Sequence, residues 1–254
     1  MSPQIGQVLK VEHEDSLLVL TLSRPENANA LSPDLVEELI RALTSAEGIR
    51  FCLLRGSGKH FCAGFDLADL TSLSDGDLLW RFVRIEHLLQ LVQHAPFPTM
   101  ALAQGQVVGA GADLFAACWR RVAAPNVKIR MPGWNFEVAL GTRRLTRLIG
   151  TQGARDLLID TKVCAAEEAM TLGLASDIVH PDDWPDVIQS TLKRTRSLSL
   201  AALRDMMALT VTDTRAQDMA SLVATAGRPG LKDRIKAYRA QVLSAKREDA
   251  KGSG

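Results

Sequence analysis

The chain has 254 residues, 46% hydrophobic and 23% charged, with 30 Lys and Arg against 29 Asp and Glu and a net charge of +1. Apolar content this high excludes a disordered chain, and no composition bias points to a collagen or a coiled coil. With charge nearly balanced there is no global field to draw nucleic acid or an anionic membrane, so neither is an expected partner.

The four cysteines, Cys52, Cys62, Cys118 and Cys164, form no CxxC pair. They are expected as free core thiols, in a reducing, cytoplasmic setting. The first residues lack a basic stretch followed by an apolar run, so no signal peptide is expected. No apolar run approaches the ~20 residues that span a bilayer.

Two strands open the chain, over 7–12 and 16–22, the second apolar on both faces as in an interior strand. A turn-rich tract, 23–31, leads to a helix start at Ser32-Pro33-Asp34, where Ser32 can cap and Pro33 suits the first turn. Leu35, Leu39, Ile40 and Leu43 form its apolar stripe. A strand over 50–55, a glycine-rich loop over 56–60 and a long helix over 77–94 follow, the helix ended by Pro96 and Pro98. A buried strand covers 99–103, and a Gly/Ala segment runs from 105 to 118. Short strands are expected at 121–124 and 127–129. After Gly141 the pattern is helical, with main helices near 142–149, 152–160, 165–172, 182–196 and 231–245. The terminal Ser253-Gly254 is expected to fray. Strands with intervening helices and then helices alone indicate an α/β core with a helical C-terminal region.

Two segments carry chemistry. In Lys59-His60-Phe61-Cys62-Ala63-Gly64-Phe65-Asp66-Leu67, small residues let another backbone or a ligand approach closely. The segment Gln104-Gly105-Gln106-Val107-Val108-Gly109-Ala110-Gly111-Ala112-Asp113-Leu114 follows the buried strand and ends in a helix whose first N–H groups lack partners. Asp113 sits one turn beyond Ala110, on the same helix face. Taken singly, each segment is explained as well by tight packing of small residues.

Together the two segments resemble the enoyl-CoA hydratase/isomerase (crotonase) family. Arg24-Pro25-Glu26-Asn27-Ala28-Asn29-Ala30-Leu31, Pro96–Ala101, Gly141-Thr142-Arg143-Arg144-Leu145 and Ala165–Ala169 extend the likeness over about residues 5–245. The resemblance implies a crotonase spiral of β-β-α turns over 1–195. It implies a helical C-terminal region over 196–254 that drives assembly into homotrimers or dimers of trimers. It also implies an acyl-CoA thioester substrate, with coenzyme A part of that substrate and no separate cofactor or metal.

By the same resemblance, the N–H groups of Phe65 and Ala110 hold the thioester oxygen. The CoA end lies against Glu26, Ala28, Ala30, Ala63, Asp66 and Leu67, with Arg24 and Lys59 as candidate phosphate partners. Gly109, Pro132, Gly133 and Trp134 are expected around the acyl group. Family hydratases use two glutamates. Asp113 matches the first, one methylene and about 1.5 Å shorter, while the second falls at Gly133, which has no side chain. Glu137 is a candidate for a displaced carboxylate, or else a surface acid. Trp134 and Asn135 are candidates to shape or hydrogen-bond the acyl group.

The expected function is therefore stabilisation of a thioester enolate, with double-bond isomerisation or another single-base reaction favoured over two-glutamate hydration. An acyl-CoA decarboxylase or hydrolase, or a non-catalytic acyl-CoA-binding protein, is the alternative. His60 and Cys62 read as parts of the turn rather than a nucleophile pair. His87 and His94 share a helix face with no third metal ligand, and His13 and His180 have no chemical neighbours.

Overall fold

The computed structural model describes residues 8–252. Gln7 of the expected first strand and the terminal Ser253-Gly254 lie outside them. The chain begins with strands β1 (Leu9–Glu14) and β2 (Leu17–Leu22), then helix α1 (Pro33–Thr44), β3 (Phe51–Gly56), helix α2 (Asp75–Gln93), β4 (Thr99–Ala103) and β5 (Gln106–Val108). Helix α3 (Ala110–Ala117), β6 (Arg120–Ala123), β7 (Lys128–Arg130) and helix α4 (Thr142–Asp160) follow. The last elements are β8 (Cys164–Ala165), α5 (Ala166–Leu172), β9 (Asp177–Ile178) and helices α6 (Trp184–Thr195), α7 (Leu200–Leu209), α8 (Arg215–Ala226) and α9 (Leu231–Gly252).

Six strands form one sheet in the order β1-β2-β3-β4-β6-β9, and three form a second in the order β5-β7-β8. Only β1 against β2 is antiparallel in the first sheet, and only β7 against β8 in the second. The larger sheet is covered on both faces, which explains why β2 is buried throughout. Alternate residues serve opposite sides. Leu18, Leu20, Leu22, Cys52, Leu54, Ala101 and Ala103 enter the main core with α1, α2 and α3. Leu17, Val19, Phe51, Leu53, Met100 and Leu102 enter a second cluster, sealed by Leu192, Val187 and Ile188 of α6. Leu222 and Ala226 of α8 and Leu231 and Ile235 of α9 belong to the main core.

Capping sets the helix starts. Ser32 accepts from the Leu35 N–H at 3.3 Å, and Ser74 with Asp77 forms a capping box that starts α2 two residues earlier than expected. The two helices expected at 142–149 and 152–160 are one continuous segment broken at Gly150 (φ 75°, ψ 167°). Helices α7 and α8 and the short strands β5, β8 and β9 are additions to the expected elements. Among the described residues, no helix is long and apolar enough to cross a membrane.

One buried ion-pair network pins α2, α4 and α8 together. Arg144 donates to both Glu86 oxygens at 2.9 and 2.6 Å and to Gln93 Oε1, and Asp218 stands 3.7 Å away. Arg144 and Glu86 side chains are only 2% and 1% exposed. Replacing one member of such a pair strands the other charge in the core. Arg144→Met is expected to destabilise the fold by about 3–5 kcal/mol in urea titration. Lys162→Met, which removes the exposed pair with Glu168, is expected to cost below about 1 kcal/mol. Equal effects would contradict this account.

Candidate active site

The two sequence segments meet through their backbones. The Cys62 N–H donates to Gln106 O at 3.2 Å, and the Val108 N–H donates to Cys62 O at 3.0 Å. Glycine is required on both sides. At Gly64 (φ 86°) a Cβ would collide with the Val108 carbonyl and stand 3.1 Å from the Ala110 nitrogen. At Gly111 it would collide with the Cys62 carbonyl. This contact brings Phe65 beside the first turn of α3. Ala110 is the first residue of that helix, so its N–H has no intrahelical acceptor. Among the described residues, neither the Phe65 nor the Ala110 N–H donates to another backbone group. Both residues line one cavity of about 150 Å³.

Helix α2 fixes Phe65. Its ring stacks on Phe82 with centroids 4.4 Å apart, and the Arg81 guanidinium lies 4.5 Å from its centroid. Arg81 also donates to the Asp66 carbonyl at 2.8 Å. Ala63 and Leu67, expected at the CoA end, flank Phe65 in the cavity wall, and Gly109, Pro132, Gly133 and Trp134 lie in the same wall. The Trp134 indole N–H donates to Thr142 Oγ1 at 3.2 Å. Asn135 is outside the cavity lining.

Among the described residues, Asp113 is the one carboxyl in the lining, and its Oδ1 has no hydrogen-bond partner; the residue is 4% exposed. It abuts Gly141, where any side chain would strike the carboxyl. Burial pushes its pKa well above the usual carboxylate range, with Glu86 adding to the rise and Arg144 opposing it. The raised pKa holds a proton that the unfolded chain releases. Stability from Asp113 is therefore intact below the unfolded carboxylate pKa near ~3.9 and is lost as pH rises through the raised value.

Several expectations need correction. Glu137 does not reach the cavity. It sits in the left-handed region (φ 60°), and its half-exposed carboxylate pairs with Arg228 at 3.2 Å. Arg24 is not free to meet a phosphate. It donates to Asp66 at 2.8 Å and to the Ala30 carbonyl at 2.6 Å, and its side chain is 15% exposed. The other Asp66 oxygen accepts the Ala68 N–H, so Asp66 shapes the turn. Ala28 supports the same turn, accepting the Ala63 N–H at 2.9 Å, while Glu26 is exposed. Lys59 lies in a separate open groove with His60 and Lys128.

All four cysteines are free and buried. Burial pushes the Cys62 thiol up to about 12, far from a thiolate nucleophile. Among the described residues no group of three or more metal-ligating side chains occurs. Phe82, Leu140, Leu158, Ile235 and Tyr238 also line the cavity without belonging to any motif. Their only sequence signal is an apolar position on a predicted helix or in a loop.

Comparison with known proteins places the fold and the family. The crystal structure of an enoyl-CoA hydratase from Bacillus halodurans, 24% identical, superposes with a TM-score of 0.81 over 91% of this chain and 100% of that one. A "putative enoyl-CoA hydratase/isomerase" from Bordetella parapertussis is 39% identical, with a TM-score of 0.91 over 92% of this chain and 99% of that one. The fold is thus the crotonase fold. The crotonyl-CoA hydratase of Syntrophomonas wolfei is 31% identical over 201 residues, 76% of this chain and 77% of that protein. The enoyl-CoA hydratase/isomerase family model matches residues 12–236, and the chain belongs to that family.

Gly64→Ala is expected to force the two segments apart and lower the melting temperature, whereas Gly76→Ala, whose added methyl would meet only the Ser74 hydroxyl at an ordinary 3.6 Å, is not. Equal melting temperatures would contradict the close approach. Asp113→Asn is expected to melt higher than the wild type at pH 8, with the gap closing as pH falls towards 4. A gap independent of pH would contradict the raised pKa.

Proposed function

We propose that the protein is an acyl-CoA-processing enzyme that stabilises a thioester enolate and moves a proton with one carboxyl group. The observation that carries this reading is the pair of N–H groups of Phe65 and Ala110 beside Asp113 in one cavity. The N–H groups would hold the thioester oxygen, where negative charge develops as the α proton leaves. Each such donor contributes on the order of 100-fold or more in rate.

Asp113 would take the α proton of a 3-enoyl thioester and return it at the γ carbon. The double bond then moves into conjugation with the carbonyl, and no atom is gained or lost. A carboxylate raised by burial is the stronger base when ionised, and Arg144 favours the ionised form. Gly133 leaves no second carboxyl for the paired-glutamate addition of water, and Glu137 is held by Arg228. The coenzyme A portion would run past the turns at residues 26–30 and 63–67.

Self-association is part of the proposal. Leu200, Met206 and Leu209 on α7 are exposed, Leu209 at 86%, which supports an interface on that helix.

Incubation with 3-enoyl- and 2-enoyl-CoA thioesters, read by mass spectrometry together with the ultraviolet absorbance of the conjugated 2-enoyl thioester, tests the reaction. Isomerisation leaves product mass unchanged, and hydration adds one water. Isomerisation is expected, falling by roughly 10²- to 10⁴-fold in Asp113→Asn. Hydration alone, or a rate untouched by Asp113→Asn, would overturn the single-base reading. Tight binding of CoA thioesters with no turnover would favour a binding protein.

A further inference from the structure

Part of the cavity wall is built by the last helix of the same chain. Ile235 and Tyr238 of α9 line it together with Phe136 and Leu158. The Tyr238 ring packs against Phe136 with centroids 5.3 Å apart, and Ile235 is buried in the main core at 2% exposure.

This wall is firmly anchored. The Asp75 carboxylate, at the start of α2, accepts the N–H groups of Gly230, Leu231 and Lys232 at 2.8, 3.1 and 2.8 Å. It thereby satisfies the first orphan donors of α9. One turn on, Arg234 donates to the Phe136 carbonyl at 3.2 Å and to Pro229 O at 2.8 Å. Helix α9 is thus tied to the helix that holds Phe65 and to the turn that carries Trp134.

The cavity holds about 150 Å³. An apolar protein cavity of about that size takes benzene, roughly six non-hydrogen atoms. Apart from Asp113, the walls named here are apolar or aromatic.

We infer that Ile235 and Tyr238 are specificity-determining residues that restrict the substrate to a short acyl group, about four to six carbons or a single ring. The inference rests on the acyl-CoA reading above. A longer chain must displace a side chain of α9, which the anchoring resists. Chain length adds affinity while it fills the cavity, about fourfold per methylene, and then stops.

The experiment measures kcat/KM and Kd for C4, C6, C8 and C10 acyl-CoA thioesters with the full-length protein. In the wild type both are expected to improve from C4 to C6, and kcat/KM to fall roughly tenfold at C8, as for an overpacked core. Ile235→Ala and Tyr238→Ala are expected to move the cut-off to C8 or C10. Tyr238→Phe keeps the ring and is expected to leave it unchanged. Should the alanine variants fail to fold, Ile235→Val and Tyr238→Leu make the same comparison. A wild-type profile that rises through C10, or a cut-off unmoved by these variants, would overturn the inference.

If no thioester of any length binds, the acyl-CoA reading fails. The cavity limit is then read without CoA, by thermal shift with phenol and 1-naphthol. Phenol is expected to raise the wild-type melting temperature. The naphthol is expected to raise that of Ile235→Ala only. Equal shifts in the wild type would contradict the limit.

Discussion

The site depends on the backbone of residues 62–64 lying against that of residues 106–111. Two hydrogen bonds between Cys62 and the 106–108 strand set the register. Glycines at 64 and 111 permit a distance that no side chain tolerates. Phe65 and Ala110, the first residue of α3, therefore line the same cavity. Each is held by the packing of whole elements, Phe65 through Phe82 and Arg81 of α2, and Ala110 through the strand that precedes it. A donor of this kind is preorganised, and it survives substitution of its own side chain.

The carboxyl beside these donors is placed by a second network. Asp113 packs against Gly141, directly before α4, and Arg144 of that helix is locked to Glu86 and Gln93 of α2. The buried ion pair thus joins two helices behind the cavity and supplies a field that works against the full desolvation of Asp113. Such a pair is weak evidence for stability gained. Its position gives it a second consequence, since it acts on the one carboxyl in the cavity wall.

Much of this was legible in the sequence where local chemistry repeats a pattern. Ser32-Pro33, the apolar run of β2 and the small residues around Ala110 each specified an element or a turn. The oxyanion segments could be paired only through the family resemblance, because no periodicity links residue 64 to residue 110. Glu137 misled because a carboxylate near the right position in sequence says nothing about its side of the turn. Its left-handed backbone turns it towards Arg228. Arg24 misled similarly, since its partner Asp66 lies forty-two residues away. Ile235 and Tyr238 carried no signal beyond their place on the helix expected near 231–245. Their role comes from the tertiary docking of α9 by Asp75, a contact spanning about 155 residues.

The central claim is that the Phe65 and Ala110 N–H groups grip a thioester oxygen. An isotope-edited infrared difference spectrum of a bound acyl-CoA carrying a ¹³C-labelled thioester carbonyl addresses it directly. Two hydrogen bonds to that oxygen lower the carbonyl stretch relative to the same thioester in water, and the account predicts such a downward shift. A carbonyl band at or above its solution position, with the thioester bound, would contradict it.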